Sequence, residues 1–153
     1  MREIAVITDT SCLIALTKTD TLKLLPELYH KIIATNDVCI EFGEPLPEWI
    51  EIRNVVNIKY QQLLELTLDK GESSAIALAM ELEHVLLIID DLKARKEAKR
   101  LGLQMTGTLG VLYAAKQKGL IPALKPYLEV LQSVNFRIAP HLIKELLVLS
   151  NEI

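Results

Sequence analysis

The stretch "HVLLIIDD", His84 to Asp91, holds five consecutive apolar residues, Val85 to Ile89, with no polar residue alternating among them. A strand with one face in water alternates, so an unbroken run of this length belongs to a strand covered on both faces, as in a parallel sheet. Ile4 to Thr8, "IAVIT", repeats the pattern, and "KIIAT", Lys31 to Thr35, reads as another strand. Helical stretches separate these runs. Strands alternating with helices argue for right-handed βαβ units, hence a central parallel sheet with helices on both faces.

The intervening segments carry their own punctuation. Ser11 is the expected cap of the helix after the first strand. Asp20 to Tyr29 is an amphipathic helical stretch in which Pro26 marks a break or a new first turn. "NDVCIEF" is a short helix with Asn36 or Asp37 as cap, stopped by Gly43, Pro45 and Pro47. Asn54 to Tyr60, "NVVNIKY", reads as a short strand or extended edge. "LDKGESSAIALAMELE" is a helix with its apolar pattern over Ala75 to Leu82, and "LKARKEAKRLG" is a charged helix ended by Gly102. "LQMTGT" is a further short strand. Gly107 to Lys118, Pro122 to Leu131 and Pro140 to Asn151 complete the helices. With no repeat, low-complexity run or linker, the expectation is one domain over 1–153.

Composition narrows the function classes. Net charge is −3 and the pI about 5.6, so no global basic field marks a tight, sequence-independent DNA binder. No uncharged apolar run reaches the roughly 18 residues that a membrane helix needs. "MREIAVITD" lacks an export signal's length and cleavage site, so a cytoplasmic protein without a membrane partner is expected. Cys12 and Cys39 have no CxxC spacing and read as reduced, buried thiols. His30, His84 and His141 match no metal-ligand spacing.

What remains is acid. Two strands end in carboxylates, Asp9 after "AVIT" and Asp90–Asp91 after "VLLII". In an open parallel sheet, ligands sit outside the C-terminal ends of the strands, where neighbouring ends would bring these acids together. Glu41 and Glu72 lie in helices that could face the same edge. Asp91 also fits as the N-cap of its helix, which leaves Asp90 the stronger site candidate, and Glu72 follows Asp69 at near capping-box spacing. Carboxylates sharing a cleft repel and raise one another's pKa, and a divalent cation is the usual remedy. Oxygen-only ligands select Mg²⁺ or Mn²⁺ over zinc, and such ions support hydrolysis of a phosphate ester. On this reading Asp9 is a metal ligand rather than a helix cap.

These residues resemble a family. "VITDTSCLIAL" is similar to the opening motif of the PIN domain, an acidic-site ribonuclease fold that includes toxins of toxin–antitoxin pairs. "LDKGESSAIALAMEL", "VLLIIDDLKARKEAKRLGL" and "MTGTLGVLYAAKQKGLI" resemble, in order, the central and C-terminal motifs of its DUF3368 branch, so the likeness covers nearly the whole chain. It implies a three-layer α/β/α PIN-like (Rossmannoid) fold with a central parallel sheet. The family's acids fall on Asp9, Glu41, Glu72 and the pair Asp90–Asp91. Many PIN toxins carry Asp where this chain has Glu72. Ser11 and Thr108 are implied hydroxyls near the metal or the scissile phosphate. The implied activity is Mg²⁺- or Mn²⁺-dependent endoribonuclease cleavage of an RNA substrate at the acid cluster. The likeness leaves open a toxin role with a small antitoxin protein as partner.

In "LKARKEAKR", Lys93, Lys96 and Arg100 share a helical face that could hold an RNA backbone, while Arg95 could orient the carboxylates. The Leu-rich end "HLIKELLVLSNEI" either closes the core or forms a homodimer face. Trp49 reads as a loop pin or partner contact. Two other readings compete. A haloacid dehalogenase-like phosphatase also has an Asp after strand 1, but needs a second Asp where Ser11 stands. A non-catalytic PIN-fold nucleic-acid- or partner-binding protein would leave the clustered acids without a purpose.

Overall fold

A computed structural model of the chain describes residues 4–152. Five strands form one all-parallel sheet: β1 (Ala5–Thr8), β2 (Lys31–Thr35), β3 (Ile50–Arg53), β4 (Val85–Ile88) and β5 (Met105–Thr106), in the order β3-β2-β1-β4-β5. The helices are α1 (Thr10–Lys18), α2 (Leu24–Leu28), α3 (Asn36–Phe42), α4 (Ile58–Leu64), α5 (Lys70–Glu81), α6 (Leu92–Arg100), α7 (Thr108–Gln117), α8 (Lys125–Ser133) and α9 (Pro140–Leu149).

The unbroken apolar runs are central strands buried on both faces. Val6, Ile32, Ala34 and Ile88 point into a core shared with Leu13 and Leu16 of α1, Leu25 of α2, Val111 and Leu112 of α7, Leu128 and Leu131 of α8 and Leu147 of α9. Their neighbours along the strands, Ile7, Ile33, Leu87 and Ile89, point into a second core with Leu64 of α4, Ala75 to Ala79 of α5, and Ala94 and Ala98 of α6. The result is the three-layer α/β/α arrangement expected. Small alanines on α5 and α6 let those helices lie close to the sheet.

Register places the site. Ile7 pairs with Ile33 of β2 and Leu87 of β4, so β1 is the middle strand. The chain leaves β1 toward β2 on one side and returns through β4 on the other. The crevice between β1 and β4 is therefore the topological switch point, the place where open α/β sheets bind ligands.

Several local expectations are corrected. The strand expected at Asn54 to Tyr60 lies upstream, at Ile50–Arg53, and pairs with β2. Asn57 instead caps α4, its Oδ1 accepting from the Tyr60 N–H at 3.1 Å, while Glu81 accepts from the Val56 and Asn57 N–H groups. The helix expected from Asp20 contracts to Leu24–Leu28, because Asp20 turns left-handed (φ 54°) and the Thr21 N–H closes α1 on the Leu16 carbonyl at 2.8 Å. Thr35, not Asn36 or Asp37, caps α3, its hydroxyl accepting from the Val38 N–H at 3.1 Å. The helix expected from Pro122 starts at Lys125, where the Glu152 carboxylate accepts from the N–H groups of Leu124 and Lys125. Trp49 packs against the first core, as do Ile143 and Leu146 of α9, whereas Val148 and Leu149 stay exposed. Among the described residues no helix is long and apolar enough to cross a membrane.

Leu16 is fully buried and Leu66 is 79% exposed. Leu16→Ala is expected to cost about 2–5 kcal/mol in urea denaturation, and Leu66→Ala no more than about 0.5 kcal/mol.

Candidate active site

Each strand delivers one acid to the crevice. The Asp9 N–H donates to the Ile88 carbonyl at 3.0 Å, extending the β1–β4 ladder by one rung beyond β1. Asp9 then caps α1: its Oδ1 accepts from the Cys12 N–H at 2.8 Å, so the cap expected at Ser11 is Asp9 itself. Ser11 sits inside the first turn with its side chain exposed. The other oxygen, Oδ2, accepts from the Asp90 N–H at 3.0 Å across the strand gap. One carboxylate thus ties together a helix start and the ends of two strands.

Asp90 follows β4 and is held as firmly. Its Oδ1 accepts from the Thr108 N–H at 2.8 Å and its Oδ2 from the Thr108 hydroxyl at 2.6 Å. Thr108 begins α7 and is fully buried. The N-cap of α7 is Gly107, which has no side chain for the job, so Asp90 satisfies the helix start from a different strand. A Cβ at position 107 would lie 2.7 Å from Asp90 Oδ1 and 3.1 Å from Arg95 Nη1. Only glycine leaves the carboxylate its place. Arg95 reaches back from α6 to donate to the Ile89 carbonyl at 2.8 Å, bracing the segment that carries Asp90.

The other acids are placed around this pair. Asp91 is exposed and caps α6, its Oδ2 accepting from the Ala94 N–H at 3.0 Å. Glu72 lies in the first turn of α5, its N–H bonded to Asp69 Oδ1 at 2.8 Å, and its half-buried side chain lines one cleft with Ser11, Asp90 and Asp91. Glu41, near the end of α3, accepts from the Thr10 hydroxyl at 2.5 Å and abuts Gly71. Lys93 and Lys96 do not line this cleft. With Arg95 and Lys99 they border a separate groove beside β5, and Arg100 is paired with Glu97.

Burial first, and like charge second, mark the site. Burial pushes the Asp9 carboxyl up to about 8, with the Asp90 charge adding to the rise and the N–H bonds from Cys12 and Asp90 opposing it. Burial lifts Glu72 to about 7, aided by the charges of Asp69, Asp91 and Glu41. The Cys12 thiol is pushed up by burial and then by Asp9 and Asp90, which keeps it protonated and inert.

Among the described residues, no three acid, His or Cys side chains stand close enough to share one metal ion. The donor set fits a hard divalent ion in kind. It is all carboxylate, and the oxygens of Asp9 and Asp90, each accepting one hydrogen bond, keep a second lone pair. Sequence reasoning missed the rest of the cleft lining, which includes Lys18, Leu131, Val134, Asn135, Phe136 and Arg137. The one local signal for it was Asn135, a residue type suited to a left-handed turn after a helix.

An open parallel α/β sheet with carboxylates gathered at its switch point is the class that fold and site define. A family model described as DUF3368, PIN domain, matches residues 5–152, and the chain belongs to that family. No curated protein matches it. Membership points to a nuclease-like or nucleic-acid-binding role, and PIN-domain nucleases typically use divalent metals.

Two outcomes are expected. Between its ordinary value of 3.8 and about 8, folded Asp9 keeps a proton that the unfolded chain has released. Glu72 does the same between 4.5 and about 7. Stability in EDTA should therefore fall as pH rises from about 5 to 8, and Asp9→Asn should flatten that slope in thermal melts. Gly107→Ala should displace Asp90 from Thr108 and cost about 1–3 kcal/mol in chemical denaturation.

Proposed function

We propose that the protein is a divalent-metal-dependent endoribonuclease that hydrolyses RNA phosphodiesters at Asp9, Asp90, Glu72 and Glu41, with Asp91 at the rim. The observation that carries this reading is the Asp9–Asp90 contact. The backbone N–H of Asp90, at the end of β4, donates to the carboxylate of Asp9, at the end of β1, and that carboxylate is pushed up to about 8 by burial first and by the Asp90 charge second. Burying one acid beside another costs stability, and a cation bound there would offset that cost.

Asp9 and Asp90 would hold Mg²⁺ or Mn²⁺, and Glu72 and Asp91, which line the same cleft as Asp90 but do not stand close enough to share the ion, would act through its water shell. The bound ion would supply charge neutralisation and Lewis acidity toward the phosphodiester. The chain's own part is positioning. Cys12 and Thr108 fix the carboxylate planes through their N–H groups, and the Thr108 hydroxyl fixes the second oxygen of Asp90. Glu41 acts at longer range, oriented by Thr10. Ser11 presents an exposed hydroxyl to the cleft for the phosphate or its water shell. Arg95 braces the Asp90 segment, and Lys93 and Lys96 offer an RNA backbone a basic track outside the acid cleft. A toxin held in check by a small antitoxin is the biological setting that this activity and family suggest. A haloacid dehalogenase-like phosphatase would need an acid in place of Ser11.

Cleavage of a labelled RNA should require Mn²⁺ or Mg²⁺ and stop in EDTA. Asp9→Asn and Asp90→Asn should each lower it about a hundredfold or more, and Thr108→Val about 10–100-fold, with circular dichroism confirming the fold. Undiminished cleavage in EDTA, or by a clean Asp9→Asn preparation, would overturn the assignment.

A further inference from the structure

The acid cleft has lining residues that the acids do not explain. Together with Glu72, Asp90 and Asp91, its lining includes two cations, Lys18 at the end of α1 and Arg137 after α8. Neither makes an ion pair among the described residues, although carboxylates line the same cleft. Arg137 is exposed. A cation facing an acidic site without pairing to it remains available for an anionic ligand.

The backbone that carries Arg137 is built rather than loose. Val134 caps the C-terminus of helix α8, and Asn135 then turns left-handed at φ 66°. The Phe136 N–H donates to the Leu131 carbonyl at 2.9 Å, closing the turn in the Schellman pattern. The half-buried Phe136 ring packs against the core that holds Leu131. Phe136 is thereby occupied as the hydrophobic lock of the turn, and the next residue, Arg137, is set at the rim.

We propose that Arg137 and Lys18 grip the phosphate backbone of single-stranded RNA in the cleft that Glu72, Asp90 and Asp91 also line. This rests on the ribonuclease reading and names the residues that seat its substrate. A planar guanidinium suits bidentate contact with a phosphate, whereas Lys18 supplies a point charge. With phosphates drawn to these cations, the phosphodiester is held in the cleft of Asp90 and Glu72 instead of being repelled from it. Arg137 is a binding residue and takes no part in bond making.

Fluorescence anisotropy of a labelled single-stranded uridine oligomer, in EDTA at low salt, tests binding apart from cleavage. Arg137→Ala is expected to weaken binding about tenfold and Lys18→Ala less. Each should lower the slope of log affinity against log salt by about 0.7, the value of one lost phosphate contact on a single strand. Arg137→Lys should recover part of the affinity, and Lys144→Ala, outside the cleft lining, should change nothing. In parallel Mn²⁺ cleavage assays, Arg137→Ala should raise KM and leave kcat within about twofold. Arg137-dependent binding by a protein that never cleaves RNA would sink the ribonuclease reading while supporting the RNA grip. Cleavage by wild type with Arg137→Ala equal to it in affinity, salt slope and KM would overturn the grip alone.

Discussion

The carboxylate of Asp9 is the joint on which this end of the sheet depends. Where β1 and β4 stop, it accepts from the Cys12 N–H on one oxygen and from the Asp90 N–H on the other, so the two strand ends and the start of α1 share one anchor. The position favours an anion, since helix N–H groups and the helix dipole point at it. Burial and the neighbouring Asp90 nevertheless outweigh those bonds. The fold therefore keeps an acid where geometry welcomes it and electrostatics resists it.

Asp90 is fixed by a different device. Thr108, fully buried, binds both its oxygens, and Arg95 ties down the preceding carbonyl. Among the described residues, Glu72, Asp91 and Glu41 are held by fewer bonds: Asp91 accepts only from the Ala94 N–H and Glu41 only from the Thr10 hydroxyl, while the Glu72 carboxylate accepts none. The strand-end pair is thus the more firmly placed part of the acid cluster.

The central strands were legible because their signal is local: "KIIAT" and "VLLII" state their burial in consecutive residues. The cap role of Asp91 was legible for the same reason. Asp9 was read as a ligand candidate with Ser11 as the cap, yet its own oxygen does the capping, and the two roles use different lone pairs. The β3 strand was misplaced because it is an edge strand of four residues with an exposed Ile52, and so lacks the unbroken apolar run of its neighbours. The meeting of Asp9 with Asp90, 81 residues apart, follows only from the sheet order. That Lys18 and Arg137 line one cleft is not legible in the sequence, because no spacing rule links α1 to the turn after α8.

Gly107 constrains how this site can change over time. A methyl group at that position and the Asp90 carboxylate compete for the same space, so the two cannot be altered in arbitrary order. Replacing the glycine while the acid remains forces the Asp90 carboxylate to shift from its place. A side chain at 107 would also crowd the Arg95 guanidinium, so losing the acid relieves the closer of two contacts and leaves the other. Position 107, which carries no chemistry of its own, is thus bound to both the acid and the cation that brace the end of β4.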